Sequence, residues 1–439
     1  MSYTVKDLGY WDKKINEIAK EKYGLEWYPI EYEIIDFHEM MGAMAYVGLP
    51  THYRHWSYGK AFERTQTSYN LGQSGLPYEM VINSNPSIAY LMLENPLSTH
   101  ILTMAHVVGH VHFFANNRMF RHTGADTVIS RFKLAAKRVQ SYIENPNIGI
   151  DKVEKILDAA HAVRYQQPRT PGIKRKSSEE LRKKYIDLIN NDTTGKFEDF
   201  EINRKPLEPD YNILSFIREN NHNLEDWEKD LLKIVEDEAR YFMPQAQTKI
   251  MNEGFACYIH YKILHDLGLP DDMHLAFVKL HNQVVRSHLG KINPYHLGFI
   301  MMMKIGEEHG HEAVLEAVRT HDDESFLRKY LDFELCNELN LFSYSFSKKQ
   351  RKHVIQDISD EEGWKEVRNA LVSTVGLKSV PVVYVSDADP STGILYLHHE
   401  HDGRDLDIEY ANQVFKHIEN LWGKRVIMYS VVEGEIWEF

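Results

Sequence analysis

Between Asn95 and Asn117 the sequence NPLSTHILTMAHVVGHVHFFANN sets two histidines, His106 and His110, four residues apart. In a helix that separation is a turn of roughly 400°, so both imidazoles stand on one face, one turn apart. One helix can thereby offer two nitrogen ligands to a single divalent ion. The same spacing also serves two hydrogen-bonded core histidines. In H-E-x-x-H peptidases a glutamate follows the first histidine as general base, and here that position is Val107. The pattern therefore suggests a metal site but not an ordinary zinc protease. His112 lies roughly 200° round from His110 and cannot easily join the pair.

A second stretch, PQAQTKIMNEGFACYIHYKILHDLG, carries Glu253 and His260 seven residues apart, again on one helical face. Seven residues rise by roughly 10.5 Å, too far for comfortable joint ligation of one ion. With His106 and His110 supplying two nitrogens, Glu253 as third ligand leaves a position open for water. Zinc is the first expectation, and iron(II) also suits two histidines and one carboxylate. His260 would then orient a ligand or stabilise an oxyanion, a role also open to Tyr295 at the start of a later helix. Glu79 and Glu238 are the candidates for general base, Glu238 because its helix immediately precedes that of Glu253. Cys257 reads as a small buried residue, and Met301 to Met303 as core filling. His281, His296, His309 and His311 have no partner spacing that sets them apart. In the aromatic stretch THYRHWSYGK, His55 and Trp56 are the side chains best suited to a cleft, although rings packed over a helix explain most of that run.

The histidine helix is expected to be core throughout, with Asn95 as its cap and Pro96 in the first helical position. Before it, YEMVINSNPSIAYLML reads as two short strands broken at Asn83-Ser84-Asn85-Pro86, which puts Glu79 and Asn83 near a sheet edge. A sheet edge beside the active-site helix is how zinc peptidases of the thermolysin-like kind hold a substrate backbone, so the order is similar by analogy. Val5 to Lys22 forms an amphipathic docking helix with Leu8, Trp11, Ile15, Ile18 and Ala19 on one side. From Gln166 to Asp210 the chain is charged and broken by proline, an exposed insertion or hinge. Pro244 should end the periodic helix that begins after Asn223. The C-terminal stretch gives two strands, a helix and a closing strand or hairpin, with His398, His399 and His401 as surface histidines.

These elements predict an α+β protein: a large mainly helical domain with a short zincin-like strand region, plus a small C-terminal α+β domain with an antiparallel sheet. The expected divisions are residues 1–165 with the His106/His110 helix, the 166–210 insertion, 211–345 completing the same domain, and 350–439. At 439 residues the chain can bury a substantial core. Its 51 basic and 64 acidic residues give a net charge of −13, which argues against binding to nucleic acid or to anionic membranes. Two cysteines are too few for a disulfide framework and fit a reducing cytoplasm. There is no apolar run of the length needed to span a bilayer, and no signal-peptide core near the start.

At AHVVGHVHFFANN, YFMPQAQTKIMNEGFACYIHYKIL and INPYHLGF the chain resembles the bacterial SpoVR family, named for stage V sporulation protein R. The resemblance extends to HWSYGKAFER and YEMVINSNP near the start, and to WKEVRNAL, GILYLHHEHDGRDLDIEYANQV and LWGKRV near the end. It implies a role in spore cortex formation, or in stationary-phase or stress physiology in relatives that make no spores. It also implies a pathway shared with a serine kinase of the PrkA type. His106, His110, Glu253 and His260 fall on the family's polar motif positions. His112 stands where relatives carry aspartate or another polar residue, and Phe255 where tryptophan is usual. The function expected from both lines is a metal-binding, zincin-like hydrolase acting on an amide or peptide, with a non-catalytic regulatory or scaffold protein as the alternative.

Overall fold

Sixteen consecutive residues, Thr99 to Phe114, are buried in a helix spanning Leu97–Asn116, so this histidine helix has no solvent face. An apolar sequence on all sides dictates that position at the centre of a helical layer. In the computed structural model, which describes residues 3–71, 77–173, 175–191, 201–202, 205–287, 292–347 and 352–439, the chain packs as two compact units. The first comprises Met1–Ala136 and Pro244–Ser379, the second Lys137–Met243 and Val380–Phe439.

In the first unit the histidine helix packs against a glutamate helix, Lys249–Asp266, and that helix packs in turn on a tyrosine helix, Pro294–His309. Glycine permits both approaches. A Cβ on Gly109 would lie 2.7 Å from the Ala256 Cα, and one on Gly254 would lie 2.3 Å from the Gly298 carbonyl carbon. The N-terminal helix, Val5–Glu21, starts at a Thr4/Asp7 capping box and buries Leu8, Trp11, Ile15 and Ala19.

Strands β1 (Ile30–Ile35), β2 (Glu79–Ile82) and β3 (Ser87–Met92) form a sheet in the order β1-β3-β2, with β1 parallel and β2 antiparallel to β3. The β2/β3 pair lies where the sequence places it. β1 falls within the segment read as loop-rich, because its alternation is carried by Glu31, Tyr32 and Glu33 and not by a clear apolar face. Pro96, not Asn95, occupies the cap position of the histidine helix. Asn95 instead donates through Nδ2 to the Tyr78 carbonyl at 2.9 Å, tying the helix start to the residue before β2. Pro244 does not end its helix, which runs from Asp226 to Gln247. The break comes at Thr248, whose hydroxyl donates to the Pro244 carbonyl. The buried Asp323 carboxylate then receives the Ile250 and Met251 N–H groups at 2.9 Å, serving the first turn of the glutamate helix. A hairpin of β4 (Phe342–Ser347) and β5 (Lys352–Ile358) completes the strands of this unit.

The second unit holds β6 (Val383–Ala388), β7 (Leu395–His399), β8 (Val426–Val432) and β9 (Glu435–Glu438) in that spatial order. The sheet is mixed, not antiparallel: β7 and β8 run parallel because the helix Ile408–Trp422 crosses between them. The charged 166–210 segment is anchored in this unit. Asp210 pairs with Val385, Arg175 binds Asp210 and Glu219, and Gln166 bonds Pro381 and Val383. Its residues 174, 192–200 and 203–204 lie outside those described. This grouping differs from the expected one, since residues 137–243 associate with the C-terminal sheet. The physical link is the helix Gly149–Val163, which packs on Ile408–Trp422. His399 is buried and bonds Ser430 Oγ through Nδ1 at 2.9 Å, so it is not a surface histidine. No helix among the described residues is long and apolar enough to cross a membrane.

Candidate metal centre

Contacts between the histidine and glutamate helices fix their direction. His110 meets Asn252 and Glu253, Gly109 meets Ala256, and His106 meets His260, so one numbering rises as the other falls and the helices are antiparallel. The i, i+4 pair on one helix thus faces the Glu253 to His260 face of the other.

The two histidines point their Nε2 atoms at carboxylates. His110 Nε2 lies 3.4 Å and His106 Nε2 3.8 Å from Glu253 Oε2, and His106 Nε2 lies 3.7 Å from Glu79 Oε1. Glu79, His106 and His110 can each place a ligand atom within 4.8 Å of the other two. Glu79 reaches this cluster from the start of β2, the edge strand. The carboxylates are 16% and 17% exposed, against 3% for the His106 side chain, so the cluster opens to solvent on their side. Tyr295, in the first turn of the tyrosine helix, lies over His106 with its ring centroid 6.4 Å away.

Each of the two histidines is held from behind. His110 Nδ1 is 2.9 Å from Asn252 Oδ1, and His106 Nδ1 is 2.9 Å from His260 Nδ1. Asn252 Oδ1 only accepts, so His110 carries its proton on Nδ1 in the neutral form and its Nε2 lone pair faces the carboxylates. His260 continues outward through Nε2 to His281 Nδ1 at 2.8 Å.

The electrostatics separate the two carboxylates. Burial pushes Glu79 up, and the opposing influence of His106 and His110 does not cancel it. Burial would raise Glu253 too, but His106 and His110 facing it outweigh that and hold it well below the usual range. Burial would lower His110, yet Glu253 raises it. His260 is depressed by burial and by the neighbouring imidazoles His106, His281 and His110. Burial, with Glu253 and Glu79 nearby, drives the Tyr295 hydroxyl upward, so it remains a donor.

The structure therefore gathers His106, His110, Glu253, His260, Tyr295 and Glu79. Glu238 belongs to the second unit, whereas the residues that build this cluster all belong to the first. Asn83 is buried and donates to Thr123 Oγ1, a structural role. His112 turns away and bonds the Glu26 backbone. His55 caps the helix Trp56–Asn70, and Trp56 is exposed. Asn252 and His281 were not legible as site residues. Asn252 adjoins Glu253, and a ligand helix needing an outer-shell acceptor was the available signal. His281 comes from another helix, Asp271–Val284, with no spacing to reveal it.

The profile of the SpoVR like protein family matches residues 2–380, and that of the SpoVR-like C-terminal domain matches residues 381–433. The chain belongs to the SpoVR family. A SpoVR relative from Escherichia coli (strain K12), Uncharacterized protein YcgB, is 34% identical over 464 aligned positions, covering 94% of this chain and 90% of its own. No solved structure matches this SpoVR chain at a significant level.

Proposed function

We propose that this SpoVR protein is a metal-dependent hydrolase of an amide or peptide bond, with His106, His110 and Glu253 holding a divalent ion, zinc first and iron(II) second. One observation carries the reading: both histidines have their Nδ1 atoms engaged from behind while their Nε2 atoms converge with two carboxylates. Ligand histidines are held in this way by an outer hydrogen bond that fixes tautomer and ring orientation. The bound ion would supply Lewis-acid polarisation of a carbonyl and acidify a water.

Glu253, kept ionised, contributes ligand charge. Glu79, pushed upward and facing the same space, accepts the proton of the attacking water and passes it to the leaving amine. Pairs of carboxylates whose environments drive them apart mark such a division of labour. Tyr295 donates its hydroxyl proton in a hydrogen bond to the developing oxyanion. The edge strand β2, beginning at Glu79, would align an extended substrate by backbone hydrogen bonds, the zincin-like feature of this reading. The low cysteine count and acidic balance fit action in the cytoplasm on a precursor or a regulator, in sporulation or stationary-phase physiology.

The test is turnover of amide and peptide substrates by zinc- and iron-loaded protein beside Glu79→Gln. Hydrolysis that falls by two or more orders of magnitude in Glu79→Gln, with metal retained, supports the assignment. Undiminished turnover in that variant removes Glu79 as base. A regulatory or scaffold role in a pathway with a PrkA-type serine kinase is favoured by Val107, which fills with a buried valine the position of the H-E-x-x-H glutamate. Loaded protein that hydrolyses nothing but binds such a kinase would favour it.

A further inference from the structure

The glutamate helix carries three ligating side chains on one face, Glu253, Cys257 and His260, at steps of four and three residues. Glu253 faces the Nε2 atoms of His106 and His110. Cys257 feels the Glu253 and Glu79 carboxylates of that cluster, and His260 meets His106 at Nδ1. Both are completely buried, and together with His106 each can place one donor atom within 4.8 Å of the other two. His106 thus stands between two donor sets. Its Nε2 looks toward Glu79 and Glu253, and its Nδ1 looks toward His260 Nδ1.

We propose a second divalent metal position formed by His106 Nδ1, Cys257 Sγ and His260 Nδ1, with the His106 imidazole bridging it to the first. The proposal rests on the reading of Glu253, His106 and His110 as the first position. Two further features support it. His260 Nε2 is 2.8 Å from His281 Nδ1, the outer hydrogen bond that a histidine ligating through Nδ1 needs. The donor set also differs in kind, one sulfur and two nitrogens against two nitrogens and carboxylate oxygen, so the second position favours a thiophilic ion such as zinc.

Charge balances as well. A second ion brings two positive charges, and its arrival displaces two protons, one from the Cys257 thiol and one from the hydrogen bond between His106 and His260. The thiolate and bridging imidazolate left behind add two negative charges, so the buried site gains no net charge. A buried site that acquired net charge would carry a heavy desolvation cost.

Cobalt(II) titration of the metal-free full chain, purified without a histidine tag, tests this. Two equivalents should bind, with a thiolate-to-cobalt charge-transfer band in the near ultraviolet. Cys257→Ser should lose the band and one equivalent. His110→Ala should lose one equivalent and keep the band, as should Cys336→Ser at full stoichiometry, since Cys336 is the other free cysteine. If Cys257→Ser does not fold, the band in Cys336→Ser decides alone, because the remaining sulfur of a thiolate ligand is then Cys257. One equivalent without a thiolate band would overturn the second position and leave the first intact. A wild-type chain that binds no cobalt would overturn both.

Discussion

The Nδ1 atoms of His106 and His260 lie 2.9 Å apart across two antiparallel buried helices. A hydrogen bond there holds one proton. With an ion on His106 Nε2, as proposed, His106 donates from Nδ1, His260 Nδ1 accepts, and His260 Nε2–H donates to His281 Nδ1. In that arrangement His281 sets the tautomer of His106, which it does not touch.

His281→Ala should weaken zinc affinity about tenfold or more while leaving a folded protein, in line with other outer partners of ligand histidines. Chelator competition measures it. His281→Gln, whose Oε1 can accept from His260, should recover part of the loss. Equal affinity in all three proteins would show that the chain stops at His260.

Gly254 and Gly298 bring the glutamate and tyrosine helices into backbone contact beside Glu253 and Tyr295. A Cβ at residue 298 would sit 2.2 Å from the Ile250 carbonyl oxygen, so no side-chain movement can relieve it. Gly254→Ala or Gly298→Ala should cost about 3 kcal/mol or more in urea unfolding, as forced overpacking does. Metal affinity should fall as well, because the helices can separate only by moving Glu253. A loss below about 1 kcal/mol would mean the helices slide freely.

Buried His100 donates to or accepts from Tyr3 through Nε2, and burial pulls it down to about 4. Its folded-state value lies below its unfolded one, so its contribution to stability is complete above pH 6.5 and is lost as pH falls toward 4. The loss from this one group should reach about 3 kcal/mol. His100→Gln should remove that part of the acid dependence, seen in urea midpoints between pH 7 and pH 4. Parallel pH profiles for the two proteins would contradict it.

Much of the site was written into local spacing. The i, i+4 pair of His106 and His110 and the i, i+7 pair of Glu253 and His260 are consequences of helix geometry, which a sequence displays directly. The distance argument that Glu253 and His260 serve different atoms also follows from helical rise. His281 and Asn252 escaped because their roles depend on which helices adjoin; Gly109 sets the approach that brings Asn252 to His110, and no glycine contact among the described residues and no sequence spacing marks the helix of His281. Glu238 drew attention through chain proximity, yet the compact units divide within its own helix, between Met243 and Pro244. The parallel pairing of β7 with β8 was hidden because a strand-helix-strand order is compatible with either direction. The 166–210 segment reads as an insertion because its links outward, such as the Arg175–Glu219 ion pair and the Asp210–Val385 backbone bridge, are polar and not an apolar face.

Metal content decides the central claim. The full chain, purified without chelators or a histidine tag and analysed by mass spectrometry, should carry at least one divalent ion, with less in His110→Ala and Glu253→Ala and essentially none in His106→Ala. A folded wild-type chain that holds no ion, even after incubation with zinc or iron(II), would contradict the account and leave the buried histidines as core hydrogen-bonding residues.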